Sequence, residues 1–368
     1  MKSLTTKVFY YKALLIAVVM PILLWISARH AISITPPIMG AELLLRLSFL
    51  QTASLYYAAS SALVVINILL TYWLCSRWFG SRRAQLSVLL LASIPSWLLI
   101  QFVYLQIGLV YAALLLAKAS FDEAARSNRP PLWYALCGLT ISLAWAIEPV
   151  AITVLALTGG AGLIVAKPRL ARAIIRQASL VPIIMVITIT ALSVASVHFG
   201  WSIHQYIANR LTQSITPSMQ IYSYITGPHS AHLGIAGLGI IPPAIIALSL
   251  LGGWSYYQGR RRPRNFFILL YVPALLILSI QMQGGAALIM VLMTLLGVSL
   301  WATHGIEYLR NTWYRLFPTN LFVRSIGRYG LSLLIACLAL YGYWYSAHAW
   351  VANPQTTIQL QSKWEGTL

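Results

Sequence analysis

Long apolar runs, most of them close to 20 residues, alternate along this chain with short polar loops. A helix rises about 1.5 Å per residue, so a run of about 20 residues matches the roughly 30 Å hydrocarbon core of a bilayer. The pattern predicts membrane spans near residues 8–28, 50–74, 85–100, 103–117, 132–148, 149–166, 178–198, 233–254, 266–280, 285–303 and 329–347. Several approach the lower limit of about 17 residues, so the pairs 85–117 and 132–166 can each be read as two spans or as a re-entrant hairpin. The expected fold is all-α: a polytopic helical bundle of about 11 spans over residues 1–350, followed by a short tail at 351–368.

Composition agrees with that reading. Of 368 residues, 59% are hydrophobic and 8% charged, against about 25% charged in a soluble domain. The net charge of +19 would suggest nucleic acid in a soluble chain. Here the basic residues fall in short loops between spans, the positive-inside signature, and no nucleic-acid partner is expected. Of the 25 basic residues, only Arg29, Arg46, Arg210 and Lys363 fall on one side of the predicted spans. That places the N-terminus inside and the C-terminus outside. The segment ALLIAVVMPILLWISA after Lys2, Lys7 and Lys12 reads as an uncleaved first span.

Six of the seven histidines then lie outside, together with Glu42, Glu148 and Glu365. Asp122, Glu123 and Glu307 lie inside beside basic residues and read as solvated loop charges. Cys75, Cys137 and Cys337 have no metal-type spacing and read as small buried residues. The glycine-rich stretches TGGAG at 158–162 and LGIAGLG at 233–239 lack the context of a phosphate loop and read as helix-packing faces. His229 and His232, three apart, lack a nearby third ligand and make a weak metal site.

Two carboxylates carry more interest. Glu42 is the only one in the first outward loop, RHAISITPPIMGAELLLRLSFL, and Arg46 lies one helical turn after it. Glu148 precedes Pro149 between two apolar runs. Proline disfavours helix in the residue before it, so a turn is predicted there. At such a turn Glu148 can be an interfacial residue or can face an outer cavity. The longest outer segment, 199–232, holds His204 and Arg210.

The order RWFGSRRAQ, a span with SIP at its outer end, a short return helix, LWYALCGLTISLAWAIEP and a further span resembles the C-type-fold integral-membrane glycosyltransferases. The likeness is to the dolichyl-phosphate-mannose protein mannosyltransferase-like group in particular. The later FFILLYVPALLILSIQMQGGAALIMVLMTLLGVSLWA is similar to the closing span pairs of that family. The resemblance covers about two thirds of the chain.

The resemblance implies a sugar transferred from a polyprenyl-phosphate carrier to an acceptor on the outer face, in a bacterial plasma membrane. Glu42 would be the base, and Arg46, Glu148, Arg210 and His204 would contact substrate. The family often has a lysine where this chain has Glu148. No cofactor is implied outright; a divalent metal is left open. Membrane lipid is the expected partner, and no protein partner is indicated. Two other readings stand beside this one: a relative without catalysis, acting as a membrane partner or lipid binder, and a polysaccharide polymerase or ligase using the 199–232 loop. A transporter would call for charged residues within spans and an internal repeat, and neither is evident.

Overall fold

The structure is a computed structural model, and it describes residues 13–23, 26, 53–124, 130–166, 180–198, 241–259, 263–282 and 284–351. Every regular element among them is an α-helix. In chain order these are α1 (Ala13–Leu23), α2 (Ala53–Phe79), α3 (Ser81–Ala92), α4 (Pro95–Val103), α5 (Leu105–Ala124) and α6 (Pro130–Ile147). They continue with α7 (Pro149–Ala166), α8 (Leu180–His198), α9 (Pro243–Gln258), α10 (Pro263–Gln281), α11 (Gly284–Leu316) and α12 (Leu321–Val351). Among the described residues five helices are long and apolar enough to cross a membrane, or six if the bent pair α3–α4 is one span. The chain is an integral membrane protein of all-α class.

The chain divides into two compact units. The first comprises Met1–Leu105, Gln220–Leu269 and Thr294–Leu368, and the second Gln106–Met219 and Leu270–Met293.

In the first unit, α2 turns into α3 through Gly80, whose φ of +83° is a conformation that side chains resist. Ser93, Ile94 and Pro95 then interrupt the helix. Proline has no N–H to continue the ladder, and α3 and α4 meet at 72°. The span predicted at 85–100 is therefore broken rather than straight. The Asn67 amide donates to Gln101 Oε1 at 2.6 Å, tying α2 to α4 inside the bundle. On α12, a Cβ at Gly342 would lie 2.1 Å from the carbonyl oxygen of Ser93, so that helix packs directly on the break. Helices α9 and α11 meet through small residues. A Cβ at Gly252 would lie 1.7 Å from the Trp301 carbonyl oxygen, and one at Gly305 2.0 Å from that of Leu248. Such contact lets backbones approach where lipid supplies no hydrophobic drive between helices.

Two expectations about charge and burial are corrected here. Glu307 is no loop charge. It sits in α11, its side chain only 8% exposed, paired with Arg83 of α3 at 2.6 Å. Cys337 is exposed, unlike buried Cys75 and Cys137. It lies on α12, whose exposed residues are largely apolar, as a lipid-facing helix requires. Helices α11 and α12 also run past the predicted 285–303 and 329–347: α11 continues through Glu307 to Leu316, and α12 begins at Leu321.

In the second unit, α6 and α8 pack closely. A Cβ at Gly138 would meet Ile184 Cβ and the Val181 carbonyl, each at 3.0 Å. Asp122 is paired with Lys118 one turn earlier on α5. The stretch 158–162 lies within helix α7. The 233–239 stretch, His229 and His232 lie outside the described residues.

Candidate functional site

The site is built on the sharing of Glu148 between two helices. Its N–H donates to the Ala144 carbonyl at 2.9 Å, closing α6, and its own carbonyl accepts from the Ile152 N–H at 3.3 Å, opening α7. Pro149 enforces this. It bars the preceding residue from continuing α6, and its fixed φ suits the first position of a helix. The turn read from the sequence at this point is present.

The side chain of Glu148 is buried, at 2% exposure. It reaches the first turn of α11. A Cβ added to Gly285 would lie 1.9 Å from Glu148 Oε1 and 2.6 Å from its Cδ, with Ile107 Cδ1 of α5 at 3.2 Å. Any larger residue here would require the Glu148 side chain to move aside. The adjoining Ala286 and Ala287 are buried as well.

The first turn of a helix carries N–H groups without intrahelical acceptors and the positive end of the macrodipole. A carboxylate beside it gains up to about 2 kcal/mol in a partly buried setting. Placing a charge at the bilayer centre costs about 2.5–3.5 kcal/mol on insertion scales. At a turn between helices the cost is smaller than at the centre, and the adjacent helix end offsets part of it.

Gln106 precedes Ile107 on α5. It is buried next to Ile107, and its Nε2 makes no hydrogen bond among the described residues. By contrast, Gln101, five residues earlier, is structural: it accepts from Asn67 and donates to the Trp97 carbonyl. A signal for the Glu148 site was present in the sequence, in the Gly284–Gly285 pair at the head of an apolar run.

The other predicted site residues, Glu42, Arg46, His204 and Arg210, lie outside the described residues, so only Glu148 of the five is placed. Among the described residues no three His, Cys, Asp or Glu side chains gather to hold a metal ion.

Known proteins share this architecture. ArnT from Cupriavidus metallidurans, solved bound to undecaprenyl phosphate, superposes with a TM-score of 0.58 at 13% identity, covering 88% of this chain and 67% of ArnT. The Archaeoglobus fulgidus oligosaccharyltransferase in its apo form gives 0.53 at 14% identity, covering 95% of this chain and 57% of the enzyme. The archaeal oligosaccharyltransferase AglB from Archaeoglobus fulgidus, in complex with an inhibitory peptide and a dolichol-phosphate, gives 0.50 at 13% identity, covering 95% of this chain and 56% of AglB. No protein-family model and no curated protein sequence matches the chain. At such identities the likeness establishes the fold: that of the C-type membrane glycosyltransferases. The chain spans two thirds or less of the length of these proteins.

Proposed function

We propose that this protein is a membrane glycosyltransferase that takes a sugar from a polyprenyl-phosphate carrier. The observation that carries the reading is the fold. It is shared with ArnT solved on undecaprenyl phosphate and with AglB solved on a dolichol-phosphate. The finer reading keeps the N-terminus inside, the C-terminus outside, and the chemistry on the outer face of a bacterial plasma membrane. Glu42 takes the acceptor proton, and the acceptor atom attacks the anomeric carbon. The bond from that carbon to the carrier phosphate breaks, and the phosphate leaves with the electron pair. Arg46, Arg210 and His204 supply positive or hydrogen-bonding groups to the charge that develops on it. Glu148, at the turn shared by α6 and α7, contacts the substrate.

The test is transfer of a labelled sugar by the purified protein from polyprenyl-phosphate donors. Glu42→Gln is expected to abolish transfer, a loss of at least about 100-fold for a general base, with membrane insertion unchanged. Full transfer by that variant removes Glu42 from the base role. If Arg210→Ala removes activity and Glu42→Gln does not, the chemistry belongs to the 199–232 loop, as in a polymerase or ligase.

A second reading has an observation of its own. The side chain of Glu148 lies against Gly285 in the first turn of α11 and occupies the space where a lipid phosphate would meet that helix end. This favours a relative that has lost catalysis and acts as a membrane partner or lipid binder. No transfer from any polyprenyl-phosphate donor is its expected result.

A further inference from the structure

The turn joining α11 to α12 is unusually well fixed for a loop between membrane helices. Asn320 caps α12, its Oδ1 accepting from the Val323 N–H at 3.1 Å. Arg324 folds back over the end of α11, its Nε donating to the Phe317 carbonyl at 2.8 Å and its Nη2 to that of Tyr314 at 3.4 Å. A cation on the last carbonyls of a helix satisfies both their lone pairs and the dipole. The Trp313 indole donates to the Val323 carbonyl at 2.9 Å. Its ring fills the place of a side chain at Gly327, where a Cβ would lie 2.3 Å from Nε1. The tip is a built hairpin.

This hairpin presents two kinds of group outward. Leu316, Leu321 and Phe322 are 65%, 77% and 73% exposed. Arg315 and Arg328 are exposed too, while Arg324 is spent on the α11 carbonyls. No Asp or Glu occurs from Tyr308 to Val351, so no acidic side chain of the hairpin answers these arginines. Glu307, just before that stretch, is paired with Arg83.

The depth of the tip follows from α12. Phe322, Ile326, Tyr329, Leu333, Leu340 and Trp344 are all exposed and fall on one helical stripe. The 22 steps from Phe322 to Trp344 rise about 33 Å, close to the thickness of a hydrocarbon core of about 30 Å. With the stripe in lipid, Phe322 stands at one boundary and Trp344 at the other, where aromatic rings settle. Arg328 lies about 9 Å along the helix from Phe322. Its long stem can run along the helix and bring the guanidinium to the phosphate level. Guanidinium groups pair bidentately with phosphate oxygens.

From this geometry we propose that the α11–α12 hairpin tip is a docking surface for anionic phospholipids of the bilayer. Leu316, Leu321 and Phe322 enter the acyl boundary, and Arg315 and Arg328 hold the headgroup phosphates. The surface is separate from the sugar-carrier chemistry and does not depend on which face of the membrane the tip occupies.

The test uses the full chain in mild detergent, titrated with phosphatidylglycerol or phosphatidylcholine, with bound lipid counted by native mass spectrometry. Phosphatidylglycerol is expected to be retained several-fold more than phosphatidylcholine. The Arg315→Gln/Arg328→Gln double variant is expected to lose that preference, with its unfolding midpoint in lipid-free detergent unchanged. Leu321→Ala/Phe322→Ala is expected to lower retention of both lipids. Equal retention of the two lipids by the parent overturns the proposal, as does undiminished preference in the arginine double variant. Competition by millimolar inorganic phosphate to the same extent as by phosphatidylglycerol overturns it in favour of a simple anion site. A co-purifying protein lost in the same arginine variant, with no lipid preference, overturns it in favour of a protein partner.

Discussion

Two glycine seams, one in each unit, look alike in sequence and differ in what they face. In the first unit, Gly252 and Gly305 bring α9 and α11 together so closely that each stands against a backbone carbonyl. In the second, Gly285 opens the first turn of α11 to a carboxylate, Glu148 Oε1. A backbone carbonyl already bonded within its helix has nowhere to go. A carboxylate at the end of a flexible side chain can move, carries charge, and can answer a helix end. The first seam is packing and nothing else. The second is packing around a charge, which is why it is the candidate site.

The largest effect is expected at the first seam. In Gly252→Ala the new methyl group meets Trp301 O at 1.7 Å and Trp301 C at 2.6 Å, both backbone atoms. No rotamer relieves the contact, so α9 and α11 must separate. Overpacking of this kind costs about 3 kcal/mol. A large drop in the unfolding midpoint in detergent is expected, and shortening Trp301 to Ala does not restore it, because the obstructing atoms remain. Near-parental stability for Gly252→Ala would show that the two helices do not approach as closely as described.

How much of this was legible follows from the kind of interaction. The helical class and the membrane setting were readable, because apolar runs of span length leave few alternatives. The break at Glu148 was readable from Pro149. Hydropathy alone averages over the break at Pro95, but the SIP at the outer end of a span followed by a short return helix, part of the family resemblance, marked it. The end of α11 and the start of α12 read as a loop because their arginines suggest water. In fact Glu307 stays in the helix through Arg83, 224 positions away in sequence, and no local pattern reports such a pair. Cys337 was misjudged because burial rules assume water outside, whereas α12 meets lipid. Of the site, Glu148 was named from sequence, but the partnership with Gly285 needed three dimensions. The roles given to Glu42, Arg46, His204 and Arg210 rest on sequence alone.

A middle-sized effect is expected at the second seam, and it should respond to its partner. Gly285→Ala places a methyl group 1.9 Å from Glu148 Oε1, which can swing aside at a cost of about 1–2 kcal/mol. Truncation at Glu148 removes the obstruction. A double-mutant cycle of Gly285→Ala with Glu148→Ala, read from unfolding midpoints, is therefore expected to couple by about 1 kcal/mol, the double variant being less damaged than the sum of the singles. Strict additivity would separate the glycine from the carboxylate and dissolve the contrast between the seams.

The smallest effect is expected from Glu148→Gln, and its size discriminates between two ways of holding a buried charge. The amide keeps the shape and removes any charge, which relieves a desolvation cost no greater than that of the bilayer centre, about 2.5–3.5 kcal/mol. It also gives up the attraction to the first turn of α11, up to about 2 kcal/mol. The two nearly cancel, so the unfolding midpoint at neutral pH is expected to shift by the equivalent of about 1 kcal/mol or less. A loss above about 3 kcal/mol would instead match the breaking of a buried ion pair. In that case a basic group from the chain holds Glu148, and the helix end is a bystander. If sugar transfer also falls while the midpoint holds, the charge serves the site and not only the fold.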